Sequence, residues 1–471
     1  MSERLETAGT GTAGVPRSPL RGGLVLVLVS AGQFLATLDL FVVNVAFPSI
    51  HADFPGATNS GLSWVLSAYA IAFAALLVPS GRLADRYGRR RLFRAGMTLF
   101  AVASAGCAAS PWLGLLVAWR AVQAGGAALM VPTSLGLLLA VFPERRHRNV
   151  VAIWSVAGAV GSALGPFLGG LLVEADWRWI FVLNLPIALV VVYAVRNLPE
   201  TRSGERGGLP DLVGAALFAA GVAAAVAALA NANTWGAGSL GLWLCLSAAV
   251  VALVAFVRRS ARHPRPAINL ALLRQAGFAF ANLAMICFFV GFAMVLLATI
   301  LFLTTVWHYG SVRAGLAFVP APAIAIPAGL LTGRLSTPRR TLAVAGATMW
   351  CVAGILWFVS LGDQPAYVAG MLPGLLICGV GFGLFAASII GAGTAVLPPD
   401  WYATGTGMIN AARQTGSAAG VALAVALIGA GTSSADYRSS WLGNCGFGAL
   451  AAVFALGTGR KTVSKDAGGT S

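Results

Sequence analysis

Of the 15 Asp and Glu residues in this chain, one, Asp39, lies well inside a long apolar run, GGLVLVLVSAGQFLATLDLFVVNVAF (22–47). A second charged residue, Arg120, is embedded in LGLLVAWRAVQAGGAALM (113–130). An ionised group in a lipid-depth environment is costly unless it is paired or neutralised, so such residues are retained for a reason. Both sit about eight residues from the outer end of the helices their surroundings predict, which puts them at similar depth. Burial favours the protonated acid, and a neighbouring guanidinium favours the carboxylate. That balance lets a carboxyl load and release protons near neutral pH. The alternative chemistry is a static ion pair that holds two helices together.

Other catalytic chemistries find no matching pattern. Cys107, Cys245, Cys287, Cys351, Cys378 and Cys445 form no CxxC pair, lie in or beside apolar runs, and read as small core residues. Four scattered histidines, without an HExxH or a phosphate-binding GxxxxGKS/T run, argue against a metal hydrolase and an ATP-driven pump. The expectation is a protein that is not an enzyme and holds no metal or cofactor, with a proton gradient as its energy source.

The elements that must position these residues are membrane-spanning helices. Hydrophobic residues make up 58% of the 471 and charged residues 10%, with a mean hydropathy of +0.83. Those values lie beyond what a soluble chain carries. About 20 apolar residues cross roughly 30 Å of hydrocarbon as a helix. On that criterion the sequence predicts fourteen spans, at 22–47, 61–81, 92–109, 112–141, 150–173, 178–196, 211–230, 239–257, 276–304, 312–333, 341–360, 367–396, 404–430 and 440–459. The first run is too long for the core of a cleaved leader and has no small-residue cleavage site, so it reads as an uncleaved span.

A net charge of +16 raises the question of nucleic acid, and the placement of the 31 Lys and Arg answers it. With both termini assigned to the cytoplasmic side, the basic residues outside the spans fall in inner segments, save for Arg178, Arg313 and Arg438. Spread over many short loops, they form no single footprint, and the basicity is membrane topology. The expected location is the cytoplasmic membrane, with lipid as the surrounding partner and no nucleic acid.

The chain also repeats itself. GRLADRYGRRR (81–91) follows the second span, and a weaker echo, GRLSTPRR (333–340), follows the tenth. Two six-helix halves come into register if spans seven and eight are an insertion. This divides the chain into a tail (1–21), a bundle (22–197), two inserted spans with their flanking loops (198–275), a second bundle (276–459) and a tail (460–471). Duplicated halves point to a transporter with its site between them near the midplane.

Gly81, Leu83, Ala84, Asp85, Arg86, Gly88, Arg89 and Arg90 resemble the second-to-third-span loop motif of the major facilitator superfamily. LDLFVVNVAFP (38–48) resembles the first-span motif of its fourteen-span drug:proton antiporter branch. RAVQAGGAA (120–128) resembles the fourth-span motif, and GSALGPFLGG (161–170) the fifth-span antiporter motif. WRWIFVLNLPI (177–187) and NAARQTGSAAGVA (410–422) extend the similarity over nearly the whole chain. Phe41 stands where that branch usually has Thr, and Ala124 where it usually has Gly.

The resemblance implies an all-α major facilitator fold with two inserted spans, and exchange rather than symport. It also implies a cytoplasmic gate built on Gly81, Asp85, Arg86, Gly88 and Arg89, shut in the outward-facing state. Gly81 is expected to let two helices approach closely, Asp85 to sit by a helix N-terminus, and the arginines to hold the loop in the cytoplasm. Gly161, Gly165, Gly169 and Gly170 fall at helical spacing and form a groove for close packing, with Pro166 permitting a bend.

Gln33, Asn44, Gln123 and Asn410 either line a substrate cavity or bond between helices. Trp307, Trp357, Trp401 and Trp441, near span ends, read as an interfacial belt. Arg413 can snorkel inward to supply charge that the preceding loop lacks. The expectation is a monomeric, proton-coupled antiporter that exports lipophilic small molecules, drugs or antibiotics, by alternating access. An importer of the same superfamily and a non-transporting membrane receptor are the alternatives.

Overall fold

The computed structural model describes residues 22–200, 211–264, 266–398, 401–428 and 431–459. The expected tails and the loop 201–210 lie outside the described residues. Within the described residues every regular element is helical: α1 (Gly22–Asp53), α2 (Asn59–Tyr87), α3 (Arg89–Ala108), α4 (Leu113–Val141), α5 (Glu144–Val173), α6 (Trp179–Val182), α7 (Asn184–Val195), α8 (Leu212–Trp235), α9 (Leu240–Arg262), α10 (Ala276–Leu301), α11 (Ser311–Phe318), α12 (Pro320–Thr332), α13 (Arg339–Ser360), α14 (Leu372–Thr394), α15 (Tyr402–Ile428) and α16 (Ser434–Leu456). Short π turns extend α10 (Phe302–Val306) and precede α14 (Tyr367–Met371).

Among the described residues, 12 spans are long and apolar enough to cross a membrane, with Ser311–Thr332 counted as one. The remaining two of the fourteen expected spans are the exceptions. The first six residues of α3 include Arg89, Arg90, Arg91 and Arg94. The apolar stretch Trp179–Val195 is short and breaks at Leu183 between α6 and α7. The break between α11 and α12 falls just before Pro320, whose missing N–H suits the start of a helix.

The helices sort into two sets by packing. In the first, α1 lies along α5, and α4 packs on both α2 and α3; in the second, α10 lies along α15 and α16, while α14 packs on both α12 and α13. Glycines set the closest approaches. Gly96 of α3 faces the Gly126 carbonyl of α4 so tightly that an added Cβ would stand 2.8 Å from it. Gly346 of α13 meets the Gly381 carbonyl of α14 in the same way. Helices in lipid associate through such small residues because hydrocarbon gives no hydrophobic reward for packing. The two sets join through α2 against α15 and α5 against α11, and the α8–α9 hairpin leans on α2 and α15.

The expected tryptophan belt is largely core. Trp307, Trp357 and Trp441 are buried, and only Trp401 is exposed. Trp357 packs against Trp441 with ring centroids 5.2 Å apart and donates to the Met371 carbonyl, while Trp307 donates to the Gly362 carbonyl. The indole N–H groups of Trp307 and Trp357 thus find partners inside the protein, while Trp441 Nε1 is buried without one.

Candidate functional site

Asp39 of α1 and Arg120 of α4 are both fully buried, and Arg120 Nη1 approaches Asp39 Oδ2 to 2.5 Å. The pair sits in a shell of hydrogen bonds. Gln123, one helical turn beyond Arg120, donates from Nε2 to Asp39 Oδ1 (2.9 Å) and to Ser104 Oγ (2.8 Å), and its Oε1 accepts from Arg120 Nη1 (2.6 Å). Asn184, at the start of α7, donates to Asp39 Oδ1 and to Ser104 Oγ, both at 3.3 Å. Arg120 Nε donates to the Val65 carbonyl of α2 (2.9 Å). Arg120 Cζ lies 4.4 Å from the centre of the Tyr69 ring, and Phe181 covers it at 5.8 Å.

Helices α1, α2, α3, α4, α6 and α7 thus all contribute to the cluster around this one buried ion pair. Arg120 Nη2 is the group in this cluster left without a hydrogen-bond partner. Changing the protonation of Asp39 would therefore disturb contacts among several helices at once.

Ser104, Asn184 and Tyr69 were not anticipated as site residues. The available signal was polarity at span depth: Ser104 interrupts an apolar stretch of α3, and Asn184 stands in FVLNLPI. Gln123, expected as cavity lining or as an interhelical bond, takes the second role. Asn44 and Asn410 return their amides to their own helices, on the Leu40 and Thr406 carbonyls. Gln33 reaches only Thr37 on its own helix, and its Oε1 is buried without a partner.

The loop between α2 and α3 turns on Gly88, whose φ of 106° lies in a region that side-chain-bearing residues avoid. Arg89 Nη1 donates to the Gly136 carbonyl at the end of α4 (3.0 Å). The Arg90 backbone N–H and side chain bind Glu200, and Arg91 lies 3.7 Å from the same carboxylate. Arg82 Nη1 reaches the Pro266 carbonyl ahead of α10 (2.8 Å). Glu200 was not singled out in the sequence. Arg86 is exposed and lies over the Tyr87 ring. The Asp85 side chain, central to the expected gate, lies outside the described residues. Gly81 corrects an expectation: an added Cβ there would meet nothing within 4 Å, so no close helix approach depends on it in this conformation.

The glycines of α5 do set close approaches. Gly161 faces the Phe34 carbonyl, Gly165 the Phe41 Cβ and Gly169 the Val42 carbonyl, all on α1. Gly170 faces Ser311 and Val312 on α11, and Gly315 of α11 in turn abuts the Pro166 carbonyl. One helix therefore packs on its own set through three glycines and on the other set through the fourth.

Residues 29–421 match the Major Facilitator Superfamily. The chain belongs to that family. Among curated members it is 34% identical over 408 residues to the puromycin resistance protein pur8 of Streptomyces alboniger, covering 84% of this chain and 80% of the relative. The multidrug resistance protein Stp of Mycobacterium tuberculosis is also 34% identical, covering 85% of this chain and 74% of the relative. The cephamycin export protein CmcT of Amycolatopsis lactamdurans is 33% identical, covering 87% and 85%. Among solved structures, the D-xylose-proton symporter superposes with a TM-score of 0.67 at 16% identity, covering 92% of this chain and 96% of that chain. That likeness establishes the major facilitator fold. The chain is a multi-pass membrane transporter related to antibiotic and multidrug exporters.

Proposed function

We propose that this transporter is a proton-coupled antiporter that exports lipophilic small molecules, with Asp39 as the proton site and Arg120 as its partner. The observation that carries the reading is the fully buried Asp39–Arg120 pair, with Asp39 of α1 bonded to α4 and α7. Protonating Asp39 removes the counter-charge of a buried guanidinium, which is costly, and repacking of α1 against α4 is the natural relief. The exporter relatives support the direction of transport.

On this reading all fourteen helical segments cross the membrane. Segment α3 does so alongside α4, and α6–α7 does so as a broken span. The six-helix sets 22–197 and 276–459 move about a central site, and both termini face the cytoplasm. The arginine-rich loop, with Asp85, acts as the cytoplasmic gate: Arg89 and Arg90 tie it to the first set, and Arg82 reaches the stretch that leads into α10. The protein works as a monomer.

The test is gradient-driven transport in everted vesicles with a panel of neutral, cationic and anionic lipophilic antibiotics. We expect drug addition to dissipate a preformed proton gradient in the parent. Asp39→Asn should bind drug in detergent yet fail to concentrate it. If folded Asp39→Asn still accumulates drug against a gradient, Asp39 is not the coupling site.

A further inference from the structure

Arg413 does not snorkel. It stands near the middle of α15 and is half-buried. Partial burial at that depth means that it borders a space beside α15. Its guanidinium carbon lies 5.6 Å from the centre of the Phe289 ring on α10. Among the described residues, no carboxylate pairs with it, in contrast to Arg120.

The faces of α15 locate that space. Gly416 and Gly420 press on the Ile286 and Val290 carbonyls of α10, while Gly407 faces Val78 and the Ala418 carbonyl accepts from Ser67, both on α2. Between these two faces runs a polar stripe at helical spacing: Thr406, Asn410, Arg413 and Ser417. Asn410 and Ser417 spend their donors on backbone carbonyls within α15, which leaves Arg413 as the charged member of the stripe. The stripe therefore lies between a helix of the first set and a helix of the second. Beside it is an aromatic wall: Phe289 to Phe292 at 5.2 Å, Phe292 to Phe382 at 5.1 Å, and Phe41 of α1 to Phe292 at 5.8 Å.

A guanidinium at membrane depth without a counter-ion is costly, so it stays where a function requires it. We propose that Arg413 anchors an anionic group of the transported molecule, and that the substrates are apolar, aromatic organic acids rather than organic cations. A carboxylate, phenolate or sulfonate would meet the planar donors of Arg413 while its ring system lies along Phe289 and Phe292. With Asp39 ionised, a bound monoanion brings the charges of Asp39, Arg120 and Arg413 to zero, the cheapest sum to enclose. This rests on the export reading above for its direction, but not for the binding itself.

The matched probes 2-naphthoate and 2-naphthamide have the same ring system and differ in charge. Equilibrium binding to the full chain in detergent should favour naphthoate by about tenfold or more, as expected for a charged hydrogen bond. Arg413→Gln should abolish that preference and leave naphthamide binding within about twofold, while Arg413→Lys should keep part of it. Melting temperatures check that each variant is folded, and the parent measurement stands even where a variant is not. Equal affinity for the two probes in the parent, failure of naphthoate to bind at millimolar concentration, or an unchanged preference in folded Arg413→Gln would each overturn the proposal. Naphthoate preference without proton-driven uptake would leave this inference standing and sink the antiport reading. Transport of neutral and cationic drugs with no binding preference would do the reverse.

Discussion

The two helix sets share a scaffold and differ in what they hold at its centre. Gly161 on the Phe34 carbonyl (α5 on α1) has its counterpart in Gly416 on the Ile286 carbonyl (α15 on α10). Gly96 with Gly126 is matched by Gly346 with Gly381. Arg89 lies against Gly136 at the end of α4, and Arg339 lies against Gly391 at the end of α14. In each set the close contacts fall where backbone meets backbone, because lipid leaves close packing as the main source of cohesion between helices.

The centres diverge. Where the first set buries Asp39, Arg120, Gln123, Ser104 and Asn184 in one network, the second stacks Phe288 on Phe385 at 4.0 Å and packs Trp350 beside them. On α16, Asn444 donates to the Trp350 carbonyl, and among the described residues it has no carboxylate partner. The packing frame recurs in both sets, and the buried Asp39–Arg120 pair belongs to one of them. The core of the second set is otherwise mostly aromatic and aliphatic.

The strongest way to break this comparison is at the ion pair. Asp39→Asn strands Arg120 and should cost about 3–5 kcal/mol of stability, whereas the double replacement Asp39→Leu/Arg120→Leu should recover most of it. Neither variant should release protons on drug binding. Thermal melts in detergent with parallel proton-release measurements check this. A double variant as unstable as the single would mean that the network, not the stranded charge, holds the first set together.

Next in size is a contrast between crosslinks. Gly170→Cys with Val312→Cys would join α5 to α11 between the sets, and oxidation should stop transport. Cys351 and Cys445, whose sulfurs lie 2.9 Å apart on α13 and α16, join helices of a single set. Oxidation of that native pair should leave transport within about twofold if each set moves as a body. Vesicle uptake with and without copper-phenanthroline separates the two cases. Loss of transport from the native pair alone would show that the second set flexes internally.

A smaller effect concerns the glycines. Gly161→Ala and Gly416→Ala should each destabilise by about 1–3 kcal/mol through overpacking against a carbonyl. Gly81→Ala should be neutral or gain up to about 1 kcal/mol from helix propensity, because nothing surrounds it. Melting temperatures rank the three. A large loss at position 81 would point to a close approach made only in another state of the cycle.

The smallest expected effect lies outside both sets. Burial opposes ionisation of Asp211 at the head of α8, but the Gly214 N–H and Arg259 outweigh it and hold the carboxyl below its usual range. A depressed folded value means that the stabilisation is present above the unfolded value and fades as pH falls through the folded one. Hydrogen exchange at the first turn of α8 should therefore quicken in acid, and Asp211→Asn should remove that dependence.

Composition and run length alone determined that this chain is an all-helical membrane protein, because each span must satisfy its own backbone in lipid. The depth of Asp39 and Arg120 was legible for the same reason: few charges survive inside apolar runs, and two at equal depth invite pairing. Tertiary structure decided the rest. It brought Asn184 to the Asp39 carboxylate and Ser104 to the amides of Gln123 and Asn184 from helices remote in sequence, sent Glu200 to the arginines after α2, and withdrew three of the four expected interfacial tryptophans into the core. It also left Gly81 with open space and, among the described residues, Arg413 without a carboxylate. Helical periodicity fixes which residues share a face, but which faces meet depends on backbone approach at particular glycines, and that is settled only when the helices pack.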